Sequence, residues 1–258
     1  MSMEKLFWSM FRAKNEDELH EIVSTNSILS NNDNWFPYGG RDKDDRSNFG
    51  TFDNQQANPI PALIEKITNS IDSLLLKKCK LENIDPKSDT APQNMAIAIE
   101  KFFKIKNGDF SEVSRSGRRN IAEDIQVIAE GDKTDPNLTI YDNGEGQHPD
   151  DFPDTFLSLS RCNKTDIPFV QGKYNMGSTG GVIFCGEHRY QLIASKSCNG
   201  LNRRKSNDFG FTLVRKHPLT KKEEGRFKGT WYEYLVLDGK LPRFSIGEIN
   251  LGLYGRQF

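Results

Sequence analysis

The strongest regular pattern in the chain lies at residues 59–80. Pro59 and Pro61 stand where a first helical turn loses nothing from a missing amide hydrogen. Leu63, Ile64, Ile67, Ile71, Leu74 and Leu75 then recur at helical spacing over residues 62–76. Lys77, Lys78 and Lys80 close the run with the charge that a helix C-terminus favours. A long amphipathic helix is therefore predicted, and the rest of the fold has to cover its apolar stripe.

The flanking segments divide by pattern. Residues 7–11 form a small apolar cluster, and residues 16–23 read as a short helix. Residues 31–58 are rich in Asn, Asp and Gly, with Trp35, Phe36 and Tyr38 embedded, which suits a loop or arm with aromatic anchors. Beyond the long helix, residues 81–93 read as polar loop, and residues 94–103 and 118–130 as two more helices. A strand is expected at 137–141, a helical patch at 153–160, and strands at 189–194, 209–215 and 230–237. Helices first and strands later give an α+β class: a two-layer sandwich, with helices on one face of a mixed, mostly antiparallel sheet. Residues 1–58 are read as an N-terminal extension and residues 59–258 as one domain. The extension either reaches a second copy of the chain or packs on its own domain.

Composition limits the partners. A net charge of -1 excludes a chain that is basic throughout. Lys173, Arg203, Arg204, Lys205 and residues 216–228 supply local basic charge, which fits a nucleic-acid contact or a solvated face equally well. Cys79, Cys162, Cys185 and Cys198 lack metal-finger spacing. Residues 1–13 carry no cleavage pattern, and no apolar run approaches the roughly 20 residues that span a bilayer. A reducing, cytoplasmic setting with free thiols is expected.

Three segments carry candidate chemistry. Glu65, Asn69 and Asp72 follow E-x-x-x-N-x-x-D, which places them on nearly one helix face. A carboxylate there can hold an attacking water, and an amide oxygen one turn on can coordinate Mg²⁺. An ordinary amphipathic helix also carries such triplets. The strand at 137–141 runs into Asp142-Asn143-Gly144-Glu145-Gly146. Its glycines let backbone approach a flat base, and a buried carboxylate can accept the amino hydrogen of adenine. A hairpin turn is the competing reading. A calcium loop is not, since its twelfth position is Pro153 rather than glutamate.

The third segment, residues 172–181, reads G-K-Y-N-M-G-S-T-G-G. Backbone amides of such a stretch can point at phosphates. It is neither a Walker A loop, since Ser178 follows Gly177, nor a G-x-G-x-x-G fingerprint. A flexible surface loop is its plain alternative.

In this order, the three segments resemble the GHKL superfamily, the ATPase domains of gyrase B, heat-shock chaperones, MutL and MORC proteins with their Bergerat-type fold. Gly229-Thr230, opening the strand at 230–237, resembles a fourth element of that family. The resemblance covers roughly residues 59–237. It implies ATP and Mg²⁺ as ligands. Glu65 would be the general base, Asn69 the Mg²⁺ ligand, and Asp72 a support of the nucleotide pocket. Asp142 would accept from adenine, with Gly144 and Gly146 shaping the pocket and Thr230 sharing a water at the base. Gly172, Lys173, Gly177, Ser178, Thr179, Gly180 and Gly181 would wrap the phosphates, as part of a lid at about 161–181. The long gap between Asp72 and Asp142 implies a helical insertion at about 80–135. Glu65 favours an ATPase over a sensor kinase. Relatives often complete the site with a basic residue from a following domain, so slow hydrolysis by this piece alone is expected. The function implied is Mg²⁺-dependent ATP binding and hydrolysis driving a conformational or dimerisation switch with a downstream domain or partner. The alternative is a nucleotide sensor with little or no turnover.

Overall fold

The computed structural model describes residues 1–46, 48–54, 57–159, 164–172, 177–202, 204, 206–227, 229–246 and 251. The chain opens with α1 (Met3–Phe11) and α2 (Glu16–Thr25), whose first turns are capped by the side chains of Ser2 and Asn15. A short strand, β1 (Trp35–Pro37), and a single-turn helix, α3 (Phe49–Asp53), follow. The long predicted helix is α4 (Pro59–Leu81), capped by Asn58 with a proline in its first turn. After α5 (Met95–Phe103) and α6 (Arg115–Ala122) come β2 (Ile125–Gly131) and β3 (Pro136–Asp142). The remaining elements are α7 (Gly177–Gly180), β4 (Gln191–Lys196), β5 (Asp208–Lys216), α8 (Lys221–Glu224), β6 (Tyr232–Leu235) and β7 (Arg243–Ser245).

The main sheet is built around β5. Along one edge runs β4, with Lys196 opposite Phe209 and Gln191 opposite Val214. Its other edge is shared: β7 pairs with the first half, Asp208 opposite Ser245, and β6 with the second, Lys216 opposite Tyr232. Outside β6 lies β1, with Trp35 opposite Leu235. A separate hairpin pairs β2 with β3. All these pairings are antiparallel, and the chain is α+β.

Helical segments cover both faces of the main sheet, where one covered face was expected. The reason lies in β5, which is buried at every position between its end residues. Phe209, Phe211 and Leu213 meet Leu6, Phe7 and Met10 of α1. On the opposite face, Val214, Tyr232 and Tyr234 meet Phe52 of α3, Phe152 and Val182. Alternate residues of a strand point to opposite faces, so a strand apolar on both sides needs two covers. A third cluster joins Leu75, Leu76 and Cys79 of α4 to Ala98 of α5 and to Ile167, Phe169 and Val170.

Two further expectations are revised. Residues 1–58 do not stand outside the domain: α1 packs on β5, Trp35 is 3% exposed and Tyr38 1% exposed. The aromatic anchors thus belong to this chain's own core. The helix expected at 118–130 ends at Ala122, and Ile125–Gly131 is a strand instead. Ile121, Ile125 and Ile128 do fall at helical spacing, but pairing along all of β3 outweighs that local preference. The hairpin also replaces part of the helical insertion expected at 80–135. Among the described residues Cys79, Cys185 and Cys198 are free thiols, and no helix is long and apolar enough to cross a membrane.

Candidate functional site

One side of α4 is polar along most of its length, and two rows of side chains occupy it. Glu65, Asn69 and Asp72 form one row; Lys66, Ser70, Ser73, Lys77 and Lys80 form the row beside it. The E-x-x-x-N-x-x-D pattern marks only the first row. The signal of the second row is present as steps of four, three, four and three.

The second row seats the Asp-Asn-Gly-Glu-Gly turn. The Lys77 ammonium donates to both the backbone and side-chain oxygens of Asn143, at 2.8 Å each. Ser73 accepts from the Glu145 N–H through its hydroxyl and its carbonyl, both at 3.2 Å. Lys80 forms an ion pair with Glu145. Gly144 lies so close to the helix that an added methyl group would stand 1.9 Å from Ser73 Oγ. Gly146 adopts φ +59°, and a methyl group there would stand 1.9 Å from the Lys196 carbonyl oxygen at the end of β4. Both glycines are therefore required by close packing, and Gly146 also by its left-handed backbone.

Asp142 ends β3 facing this row. Its Oδ1 accepts the Gly144 N–H at 2.9 Å. Burial pushes its carboxyl above the usual carboxylate range, outweighing the Gly144 amide and the Ser73 and Ser70 hydroxyls, which act the other way. A carboxylate in that state gains from a neutral donor more than an exposed one does.

The first row seats the start of the glycine-rich stretch. Asp72, fully buried, accepts the Gln171 N–H at 3.0 Å on Oδ1 and the Gly172 N–H at 2.8 Å on Oδ2. Lys164 lies 3.7 Å from the same oxygen. A methyl group on Gly172 would stand 2.4 Å from Asn69 Oδ1. At the other end of the stretch, a methyl group on Gly181 would stand 2.7 Å from Cε of Lys66. Between them α7 packs against α4, with Thr179 1% exposed. This helix is one turn long, so its amides would act as individual donors rather than through a macrodipole. Lys173 lies outside the described residues, as does the side chain of Ser178.

Glu65 is half-buried on the same side of α4. Among the described residues no group of three or more His, Cys, Asp or Glu side chains gathers around one point. A cation here would therefore take oxygens from Asn69, Glu65, the ligand and water, the mixed set that Mg²⁺ accepts. The Asn69 oxygen, facing a residue without a side chain, fits that role.

The structure does not bring Thr230 to this group. Its hydroxyl donates to the His217 carbonyl at 2.6 Å, and β6 begins only at Tyr232. His217 follows β5 at the end opposite Phe209, whose partner Lys196 abuts Gly146. The two ends are roughly 26 Å apart at ~3.3 Å per residue. A cavity of ≈ 250 Å³, lined by Arg46, Lys222 and Arg226 among others, includes Thr220 and Phe227 and does not include any of the α4 residues. The convergence on α4 rests on packing geometry and donor chemistry.

No known family model, curated protein or solved structure matches the chain.

Proposed function

We propose that the polar side of α4 is the binding site for Mg²⁺-ATP and that the chain hydrolyses it, in a Bergerat-type arrangement. One observation carries the reading. Gly144, Gly172 and Gly181 come from two separate segments, and each meets α4 where a side chain would collide with Ser73, Asn69 or Lys66. That close approach sets the Asp142 turn and the glycine-rich stretch on one side of α4, beside Asn69 and Glu65.

In this reading Asp142 accepts the adenine amino hydrogen, and Gly144 and Gly146 let the turn that carries it pack against α4 and the end of β4. Asn69 would hold the cation, which would supply charge neutralisation on the phosphate oxygens. Glu65 takes a proton from water as the water oxygen bonds to the γ-phosphorus. The bond from that phosphorus to the β–γ bridging oxygen breaks, leaving ADP and phosphate. Asp72 acts at one remove, by fixing the Gln171 and Gly172 amides. Thr230 has no part in it.

The test is Mg²⁺-ATP binding and phosphate release by wild type, Glu65→Ala and Asp142→Asn. Glu65→Ala is expected to bind within a few-fold of wild type and to lose turnover by about 10²-fold or more. Asp142→Asn is expected to lose adenine binding. Wild type that binds but never releases phosphate would make the protein a nucleotide sensor instead. Wild type that binds no adenine nucleotide would end both readings.

A further inference from the structure

We infer that the cavity lined by Arg46, Lys222 and Arg226 binds a phosphate group, either inorganic phosphate or the phosphate of a small molecule. No residue of α4 lines it, and the inference does not depend on the ATP reading. Arg46 comes from the loop between β1 and α3, and Lys222 from α8. Arg226 and Phe227 follow α8 in a turn where both backbone N–H groups donate to the Glu223 carbonyl. Three cationic side chains thus line ≈ 250 Å³, where they repel one another until an anion enters. Among the described residues, neither Lys222 nor Arg226 forms an ion pair. Arg46 lies 3.8 Å from Asp44, whose side chain is 97% exposed, and an ion pair of that kind contributes little.

The rest of the lining adds donors. The carboxylate in it, Glu223, is turned to its own helix start: Oε2 accepts the Thr220 N–H at 3.0 Å and the Thr220 hydroxyl at 2.7 Å. Asn32 Oδ1 accepts Arg215 Nη2 at 3.1 Å, which leaves the amide nitrogen, a donor, for the cavity. The arginines are held by rings rather than by carboxylates. Arg46 lies over Trp231 at 4.8 Å and over Phe227 at 5.8 Å, and Arg226 over Phe227 at 5.4 Å. A guanidinium held over a ring keeps its in-plane N–H donors for oxygen atoms. The same contacts narrow the ligand. Trp231 also carries His217, stacked at 3.9 Å, so a base that stacked on these rings would have to displace protein side chains. The volume is smaller than the roughly 300–1,000 Å³ of sites for drug-sized ligands. A phosphate with at most a small organic group fits both facts.

Calorimetric titration of wild type, Arg46→Gln, Lys222→Gln and Arg226→Gln tests this, with inorganic phosphate and with glycerol 3-phosphate at constant ionic strength. Wild type is expected to bind at least one of the two with a Kd of roughly 1 mM or tighter. Arg46→Gln and Arg226→Gln are each expected to weaken it by about 10-fold or more. Lys222→Gln should weaken it less, since an ammonium lacks the guanidinium fork. Lys222 and Arg226 are exposed, so their variants should melt with wild type and keep whatever affinity it has for Mg²⁺-ATP. Should Arg46→Gln fail to fold, Arg226→Gln decides. Tighter binding of glycerol 3-phosphate than of inorganic phosphate would assign the site to a phosphorylated small molecule, and the reverse order to free phosphate. Wild type that binds neither at about 10 mM, or binding that Arg226→Gln retains in full, would overturn the assignment. A single-stranded oligonucleotide that binds wild type far more tightly than either phosphate, and Arg226→Gln far less, would also overturn it, by making this face a nucleic-acid contact.

Discussion

Two regions of this molecule bury charge, and they do so in opposite ways. At the β5–β6 border, Glu233 (4% exposed) accepts from Arg215 Nε at 2.7 Å and from Trp231 Nε1 at 3.2 Å. His217 Nδ1 lies 3.0 Å away, and the Arg215 guanidinium stacks 3.6 Å from the centroid of Trp35. Each charged group there is met by another side chain of the same network. On α4, by contrast, Asp72 and Asp142 are met chiefly by backbone amides and serine hydroxyls. The first region is complete in itself and reads as structure. The second sets buried carboxylates against close-packed glycine backbone, and is where the nucleotide is proposed to bind. Burial alone does not separate the two; the identity of the partners does.

The comparison breaks most directly at Glu233. Replacing it by alanine leaves the Arg215 guanidinium buried without its carboxylate, a change that costs about 3–5 kcal/mol. That is a large share of the stability of a typical domain. Urea unfolding of Glu233→Ala should show the loss, while any protein that stays folded should keep its nucleotide affinity. A loss below about 1 kcal/mol, or a selective loss of ATP binding at full stability, would assign this network to function after all.

A pair of glycines sharpens the contrast within the α4 site. A methyl group on Gly146 meets the Lys196 backbone at a left-handed φ, so neither strain has a flexible side chain to absorb it. Gly146→Ala is expected to cost about 2–4 kcal/mol, as the sum of left-handed and overpacking penalties. The methyl group on Gly172 meets the tip of Asn69, which can swing aside for about 1 kcal/mol, and stands 3.1 Å from Asp72 Oδ2, which has to give by a few tenths of an ångström. Gly172→Ala should therefore stay folded and lose Mg²⁺-ATP affinity, because the amide oxygen proposed for the cation has moved. Melting temperatures and ATP titrations of the two variants check this. Equal destabilisation by both would mean that the Gly172 contact is packing and nothing more.

What the sequence made legible follows from how local each signal is. The helix α4 was readable because prolines, apolar stripe and terminal lysines all lie within one segment and agree. The turn after β3 was readable because its glycines are required by the turn itself as well as by α4. The site's second row was only half readable. Ser70 and Ser73 look like ordinary polar residues until the turn they hold is brought up against them. Thr230 shows the opposite failure, since a Gly-Thr pair at a strand start does not say which strand lies beside it. Glu233 was invisible for the same reason: only the pairing of β5 with β6 sets it opposite Arg215. The segment of β2 reads locally as helix because Ile121, Ile125 and Ile128 fall at helical spacing, and pairing along β3 decides for strand.

The smallest expected effect lies at Asp142, and it tests whether the α4 site is held at a cost to the fold. Burial raises this carboxyl above its unfolded value of 3.8. Below that pH both states keep the proton, and the group contributes no difference. As pH rises from 3.8 towards the raised native value, the unfolded chain gives up its proton first. Native Asp142 then holds the extra proton, and stability falls with pH across that window. Above it the penalty is complete. Asparagine carries no charge to bury, and Ser70 and Ser73 can rotate to accept from its amide. Asp142→Asn should therefore match wild type in acid and exceed it at neutral pH by about 1 kcal/mol, while losing adenine. Unfolding free energies of the two proteins from pH 3 to pH 8 measure the difference directly. A variant less stable than wild type at neutral pH would place Asp142 with Glu233, as a charge the fold needs, and would remove the main reason to expect a ligand there.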